Sequence, residues 1–215
     1  SFTQFSLYHR EFFRVEFSPD GFLLVVSPHT PSPSGGWVTE IVQLWRVSDN
    51  VLLNTFQPGE FQFSPDGSLF GLGSEESIQL VRVADGTLIN TLQPSGQVVS
   101  FTFSPDGTLL ASYSFGPSSE QGIQLWRVSD GALLNAMRDN NFCAFLSFSD
   151  NSTLTCAGSG ISIWRIPDGQ LLGSLPIDSL QQGGELTLGR SCSTNGKLWH
   201  FIYSGNTIWL WHINQ

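Results

Sequence analysis

Short apolar runs separated by turn-forming residues recur along the whole chain. Each run is a few residues long and rich in Val and Leu, which is typical of strands that pack on both faces. In the first three units the first two runs are joined by Pro-Asp-Gly, and in units two to four the last two are joined by Asp-Gly, with Asp-Asn in unit one. Proline presets φ, Asp can bond the backbone ahead of it, and Gly accepts a positive φ. The pattern therefore predicts short strands joined by tight turns.

Two phrases recur in a fixed order. The first is clearest as Phe-Ser-Pro-Asp-Gly, and its five copies begin at Phe17, Phe63, Phe103, Phe148 and Cys192. The second is clearest as Leu-Trp-Arg-Val-Ser-Asp-Gly, and its five copies begin at Leu44, Leu80, Leu125, Ile163 and Leu210. Successive copies of the first phrase lie 46, 40, 45 and 44 residues apart. A period of this length indicates a propeller rather than helical repeats.

The repeats predict an all-β single domain spanning residues 1–215, a five-bladed β-propeller of four-stranded antiparallel blades. The last unit ends after its third strand, whereas the opening residues align with the fourth strands of other units. Pairing strand 2–8 with that third strand would close the ring and remove an exposed edge. We therefore expect blades at about 10–56, 59–92, 97–137, 141–175 and 185–213, the last completed by residues 2–8.

Aromatic residues occupy two repeated positions, one in the first strand and one in the third strand of the units. We expect them to pack between blades rather than to stack on a ligand. These predicted blade-core residues are Phe17, Phe63, Phe103, Phe148, Trp45, Trp126, Trp164 and Trp211. In the second unit, Val81 stands at the tryptophan position.

These two phrases resemble those of WD-repeat β-propellers, of the type with highly regular bacterial repeats. The resemblance covers the whole chain and implies a platform for binding other molecules. Members of that family usually carry a Gly-His pair before the first strand and an Asp in the turn between the second and third strands. These groups hydrogen-bond with a Ser or Thr and with the third-strand Trp. This chain has neither, and its five units contrast with the usual seven, so chains that share strands are an alternative to a closed monomer.

Composition and charge narrow the possible partners. The chain has 9 basic and 18 acidic residues and a formal charge of −9, without a run of Lys or Arg, so we expect no nucleic-acid partner. No apolar run approaches the length of a membrane span, so none is expected. One end of the blades should carry a ring of aspartates: Asp20, Asp49, Asp66, Asp85, Asp106, Asp130, Asp150 and Asp168. The favoured interpretation is that each turn needs its Asp; a cation or basic partner is the alternative.

Catalytic and metal-binding patterns are missing from the sequence. Its four histidines, at 9, 29, 200 and 212, are scattered among units, and no nucleophile with a base is evident. We therefore predict no enzyme, no cofactor and no metal. Cys143 and Cys156 could face each other on adjoining strands, but three small buried thiols, with Cys192, are the favoured interpretation. The sequence identifies no compartment, with the cytoplasm slightly favoured.

Departures from the repeat mark the candidate binding site. Loops at 28–39, 115–121 and 176–184 should all emerge at one end of the blades, which we call the insertion face. Its candidate partner-binding residues are Trp37, His29, Phe115, Glu75, Glu76, Glu120, Arg10, Arg138 and Asp139. Trp37 either contacts a partner or covers its own blade, and both interpretations are open. We predict a non-catalytic binding or scaffold module for a protein partner; the alternative is a carbohydrate-binding propeller.

Overall fold

The computed structural model describes the chain in eight segments. These are residues 12–31, 37–39, 41–116, 122–139, 142–176, 186–192, 198–204 and 207–211. Only the backbone is described at residues 12–13, 29–31, 37–39, 175–176, 186–192, 198–204 and 207–211.

The described residues form twenty strands in five antiparallel sheets, which follow one another in chain order. Sheet 1 contains β1 (Phe12–Phe17), β2 (Leu23–Pro31), β3 (Trp37–Thr39), β4 (Val42–Arg46) and β5 (Val51–Phe56). Sheet 2 contains β6 (Phe61–Phe63), β7 (Leu69–Gly73), β8 (Ile78–Arg82) and β9 (Leu88–Leu92). Sheet 3 contains β10 (Gln97–Phe103), β11 (Leu109–Phe115), β12 (Gly122–Arg127) and β13 (Leu133–Met137). Sheet 4 contains β14 (Cys143–Asp150), β15 (Thr153–Gly158), β16 (Gly160–Arg165) and β17 (Gln170–Pro176), and sheet 5 contains β18 (Leu186–Cys192), β19 (Leu198–Ser204) and β20 (Thr207–Trp211).

The prediction of an all-β chain built from repeated antiparallel sheets is confirmed. Within each sheet, strands adjacent in sequence are adjacent in space, apart from the short β3, which pairs with the end of β2. Four sheets have the predicted path of four strands, whereas sheet 5 has three in the described part of the chain. The strand predicted to complete it, residues 2–8, lies outside the described residues.

The predicted turn chemistry is confirmed at both repeated turns. Gly67 and Gly107 have φ angles of 71° in the turns between first and second strands. The preceding Asp accepts a hydrogen bond from the backbone two residues ahead, for example Ser68 N to Asp66 Oδ1 at 3.0 Å. In the sheet 1 turn that lacks the glycine, Asn50 adopts a φ of 56°. Asn is the non-glycine residue that tolerates this region best, so the turn is preserved.

Three apolar clusters lie between consecutive sheets. The cluster between sheets 1 and 2 contains Val25, Val42, Leu44, Phe61, Phe63, Phe70 and Leu72. The one between sheets 2 and 3 contains Ile78, Leu80, Leu92, Phe101, Phe103, Leu110, Trp126 and Val128. The one between sheets 3 and 4 includes Ala111, Tyr113, Ile123, Leu125, Leu146, Phe148, Leu154 and Trp164. Sheets 1 to 4 therefore stack face to face in chain order.

Hydrogen bonds between first strands fix this stacking. The Phe63 N–H donates to Glu16 Oε1 at 2.9 Å, and the Phe103 N–H donates to Gln62 Oε1 at 3.2 Å. Arg14 of β1 forms an ion pair with Glu60 and donates to the Phe61 carbonyl at 2.8 Å. These contacts connect the first strands of sheets 1, 2 and 3, which are β1, β6 and β10.

The outer face of sheet 1 carries exposed apolar side chains. Val15 is 51% and Phe17 58% exposed, and Val47 is 40% exposed. Phe17 was expected in the blade core, and the residues at its position in sheets 2 to 4 are only 4–6% exposed. Those phenylalanines pack on the preceding sheet, whereas Phe17 belongs to none of the apolar clusters of described residues. The described residues therefore contain no closed ring.

Two local expectations differ from the structure. The loop predicted at 28–39 is partly a hairpin extension, because β2 continues to Pro31 and pairs with β3, placing Trp37 opposite Pro31. Cys143 and Cys156 were expected to be thiols, but the structure has a disulfide between them, with a Cα–Cα separation of 5.5 Å. The pairing depends on the register of β14 and β15, which the sequence does not specify.

Candidate partner-binding surface

An open cleft lies at the insertion face beside sheets 2 and 3. Its volume is about 530 Å³. It is bounded by the β7–β8 turn, the β9–β10 loop and the first residue of β10, through Glu75, Glu76, Gln93, Pro94, Gly96 and Gln97. Four of its six lining residues are polar or charged, and the other two are Gly96 and the buried Pro94. A cleft of this kind can hold one extended side chain.

The two glutamates are presented by a tight, internally bonded turn. The Ser74 N–H donates to the Ser77 carbonyl at 2.8 Å, and the two serine hydroxyls lie 3.0 Å apart. Glu75 and Glu76 occupy the two central positions, and both are exposed. Neither forms an ion pair in the described part of the chain. The turn therefore holds two carboxylates at the edge of the cleft.

The opposite side of the cleft is fixed by the next sheet. Gln124 of β12 is 5% exposed and reaches Ser95 in the β9–β10 loop. Its Oε1 accepts from the Ser95 N–H at 2.9 Å, and its Nε2 donates to the Ser95 hydroxyl at 3.1 Å. Gly96 lies so close to the end of β11 that a Cβ there would come within 2.6 Å of the Phe115 carbonyl oxygen. The loop is therefore anchored rather than free.

An exposed aromatic pair adjoins the cleft. Phe115 is 50% and Phe142 43% exposed, and their ring centroids are 6.3 Å apart at 71°. Phe115 pairs with Gln97, a residue of the cleft wall, in the β10–β11 register. Phe142 also contacts the buried Tyr113 edge to face, with centroids 5.9 Å apart. The pair therefore continues the cleft surface toward sheet 4.

Backbone hydrogen bonds hold Phe142 in place. Its N–H donates to the Ser159 hydroxyl at 2.7 Å, and its carbonyl accepts from the Ser159 N–H at 2.9 Å. Beneath it, burial raises the pKa of Tyr113, so this phenol stays neutral at physiological pH. The aromatic pair is thus an apolar patch on a rigid support, which is the usual form of a binding surface built on loops.

The residues predicted for the insertion face fall into three groups. Glu75, Glu76 and Phe115 lie together around the cleft, as described above. Arg138 is exposed, whereas Asp139 is only 5% exposed and so is not presented to a partner. Trp37 and His29 lie in paired strands whose side chains are not described, and Arg10 and Glu120 lie outside the described residues.

Sequence reasoning missed the far side of the surface. Phe142, Gln93, Gln97 and Gly96 were not predicted, because their part in this surface depends on contacts between neighbouring sheets. The signal available for Phe142 was an aromatic residue directly after the polar run Asp139 to Asn141. Such a residue in a connection has no strand position to bury it.

The opposite end of the sheets carries the predicted aspartates, and their charges are largely engaged. Four of them form ion pairs with the Arg three residues earlier, for example Arg127 with Asp130 at 2.7 Å. In the other repeated turn, the Ser64 hydroxyl, followed by the Ser68 N–H, lowers the pKa of Asp66. These contacts support the interpretation that the aspartates serve their own turns.

The described residues contain neither a candidate metal site nor a membrane-spanning helix. No group of three or more His, Cys, Asp or Glu side chains that could hold a metal ion occurs among them. Within the same residues, no helix is long and apolar enough to cross a membrane. In comparison with known proteins, no family model and no curated protein matches the chain.

Proposed function

We propose that the chain is a non-catalytic binding module whose insertion face captures a protein partner. The observation that carries the proposal is the exposed Phe115–Phe142 pair beside the cleft. Exposed aromatic residues on a rigid support bury large areas at low entropic cost and are enriched at protein interfaces. Hydrogen bonds to Ser95 and Ser159 hold both sides of the surface, so little ordering would be needed on binding.

The surface favours a protein over a carbohydrate for a geometric reason. The two rings meet at 71°, so they form a ridge rather than one flat platform for a sugar ring. The connections that form the walls of the cleft also differ in sequence between units. Five equivalent sugar sites, one per unit, would need equivalent connections.

A displayed random-peptide library tests this function. We expect peptides that are enriched on the intact chain to bind the Phe115→Ala/Phe142→Ala variant about tenfold more weakly or worse. Leu133→Ala is the matched control, because Leu133 is equally apolar and 49% exposed but lies on the outer strand β13. Failure to enrich any peptide, or equal loss in the control, would contradict the proposal. A glycan array with the same three proteins tests the alternative ligand class.

The proposed scaffold for this face is a closed five-bladed propeller. In it, sheet 5, completed by residues 2–8, covers the outer face of sheet 1. Two observations support this arrangement. Val15 and Phe17 stand at positions whose counterparts in sheets 2 to 4 are buried, and three strands of sheet 5 pair as the repeat predicts. An uncovered apolar sheet face of this kind usually marks a contact surface.

A further inference from the structure

The cleft and the aromatic pair together define the chemistry of one ligand segment. We propose that the surface binds an extended peptide in which a Lys or Arg enters the cleft and an apolar or aromatic side chain, two positions away, contacts Phe115 and Phe142. This inference rests on the proposed protein-binding function and specifies its ligand.

Charge complementarity assigns the basic side chain to the cleft. Glu75 and Glu76 project from a turn closed by Ser74 and Ser77, and neither forms an ion pair with a described residue. Five of the described arginines are already paired with other carboxylates, namely Arg14, Arg46, Arg82, Arg127 and Arg165. The net charge of −9 would also attract a cationic segment from a distance.

The remaining lining suits the same side chain. Gln93 and Gln97 are exposed and offer amide oxygens as acceptors, while the buried Pro94 gives an apolar contact for an alkyl stem. Lys and Arg combine such a stem with a charged end that donates several hydrogen bonds. A carboxylate ligand would instead meet Glu75 and Glu76 with like charge.

The spacing follows from the β10–β11 pairing. Gln97 of the cleft wall is the register partner of Phe115, and cross-strand partners lie about 5 Å apart at their Cα atoms. Side chains at alternate positions of an extended peptide point to the same side and are about 7 Å apart. One residue can therefore occupy the cleft while the next residue on that side reaches the aromatic pair.

The test uses the full chain and three displayed nonapeptide libraries, fixed in their centre as Arg-x-Phe, Glu-x-Phe and Arg-x-Ser. We expect enrichment of Arg-x-Phe over both others and weaker binding at higher salt. Glu75→Gln/Glu76→Gln should weaken Arg-x-Phe binding by about fivefold. Asp49→Asn/Asp85→Asn is the control, because it changes the net charge equally at the opposite end of the sheets. Urea midpoints of all variants verify folding.

The outcomes separate this inference from the function on which it rests. Equal enrichment of Arg-x-Phe and Glu-x-Phe, or binding that survives Glu75→Gln/Glu76→Gln, overturns the inference. In either case, the proposed function stands if Phe115→Ala/Phe142→Ala abolishes binding of the enriched peptides. If no peptide binds the intact chain, both this inference and the proposed function are overturned. Equal weakening by the control pair assigns the effect to overall charge and also overturns the inference.

Discussion

At the scale of single residues, the tryptophans of the third strands differ in their polar contacts. The indole N–H of Trp126 donates to the buried Ser112 hydroxyl at 2.9 Å, whereas that of Trp45 donates to Gln43 at 3.2 Å. The buried indole N–H of Trp164 has no hydrogen-bond partner in the described part of the chain. Sheet 3 is thus the sheet in which the third-strand Trp bonds a Ser of the second strand among the described residues.

The difference between these tryptophans predicts unequal effects of one substitution. Trp126→Phe should lower the free energy of unfolding by about 1 kcal/mol more than Trp164→Phe, because only the first breaks a buried hydrogen bond. The two side chains are matched in burial, at 5% and 6% exposed. Urea unfolding of both variants measures the difference. Equal losses would show that the Trp126–Ser112 bond contributes nothing net.

The disulfide between Cys143 and Cys156 predicts the thiol content of the purified chain. Both cysteines are fully buried. A thiol reagent added in denaturant without reductant should therefore detect one thiol, from Cys192, and three after reduction. Cys143→Ala serves as the control, because it should release Cys156 and give two thiols without reductant. Three thiols in the unreduced wild-type chain would contradict the disulfide.

At the scale of strands and turns, backbone conformation explains why the phrases repeat. The Asp-Gly turn between third and fourth strands needs a residue with positive φ, and Gly86 supplies it with a φ of 72°. An added Cβ at Gly86 would meet nothing within 4 Å. The glycine is therefore required for its backbone freedom and not for space. Asn50 shows which other residue the turn accepts.

Substitution at Gly86 measures the energetic cost of a side chain at positive φ, without a steric contribution from neighbouring residues. Gly86→Ala should lower the free energy of unfolding by about 1 kcal/mol, since an L residue is strained at positive φ. Gly86→Asn should cost less, because its side chain tolerates this region. Thermal or urea unfolding of both variants gives the comparison. A Gly86→Asn variant less stable than Gly86→Ala would contradict the assignment.

The turn carboxylates predict a loss of stability in acid. The pKa of Asp66 lies below its ordinary value, mainly because the Ser64 hydroxyl and then the Ser68 N–H bond the carboxylate. The pKa of Asp106 is lowered in the same way, by Ser104 first and then Thr108. A lowered folded pKa stabilises the fold above the unfolded value of about 4, and this contribution disappears as pH falls through the folded value.

Asp66→Asn tests that dependence. Asn can keep the turn but does not titrate, so we expect a shallower fall in the free energy of unfolding below about pH 4 than in the wild-type chain. Urea unfolding at a series of pH values measures the slope. An unchanged slope would mean that Asp66 does not contribute to acid sensitivity, and steeper loss in the variant would reverse the sign of the argument.

At the scale of the whole molecule, the proposed ring closure depends on the exposed apolar face of sheet 1. Phe17 is 58% exposed, whereas Phe63, at the same position of sheet 2, is 4% exposed. Phe63 packs on sheet 1, and the proposed ring would make Phe17 pack on sheet 5 in the same way. In the proposed ring, Phe17 and Phe63 would therefore be packed equivalently, although their exposures differ in the described structure.

Alanine substitution at these two positions tests ring closure. In a closed ring, Phe17→Ala and Phe63→Ala should each destabilise the chain by about 3 kcal/mol, because both would remove a buried ring. A loss below about 1 kcal/mol for Phe17→Ala alone would contradict closure. The mass in solution then distinguishes closure within one chain from strands shared between chains, since only the shared form has a multiple of the monomer mass.

The candidate site was predictable in part. Glu75 and Glu76 were identifiable because they lie in a connection between strands of the repeat, and Phe115 because it adjoins one. Phe142 and the Gln124–Ser95 contacts were not, because they join residues of neighbouring units. The burial of Asp139 was also not predictable, since the sequence places it in a connection between units, where charged residues are usually exposed.

The sequence by itself determined the strands, the turns and their repetition, since φ preferences and Asp-to-backbone hydrogen bonds act over a few neighbouring residues. The tertiary structure alone decided which repeated positions are covered, as the contrast between Phe17 and Phe63 shows. It also brought Phe115 to Phe142 and placed Glu75 and Glu76 beside Gln97. These arrangements depend on packing between sheets, which joins residues far apart in the chain and leaves no local pattern.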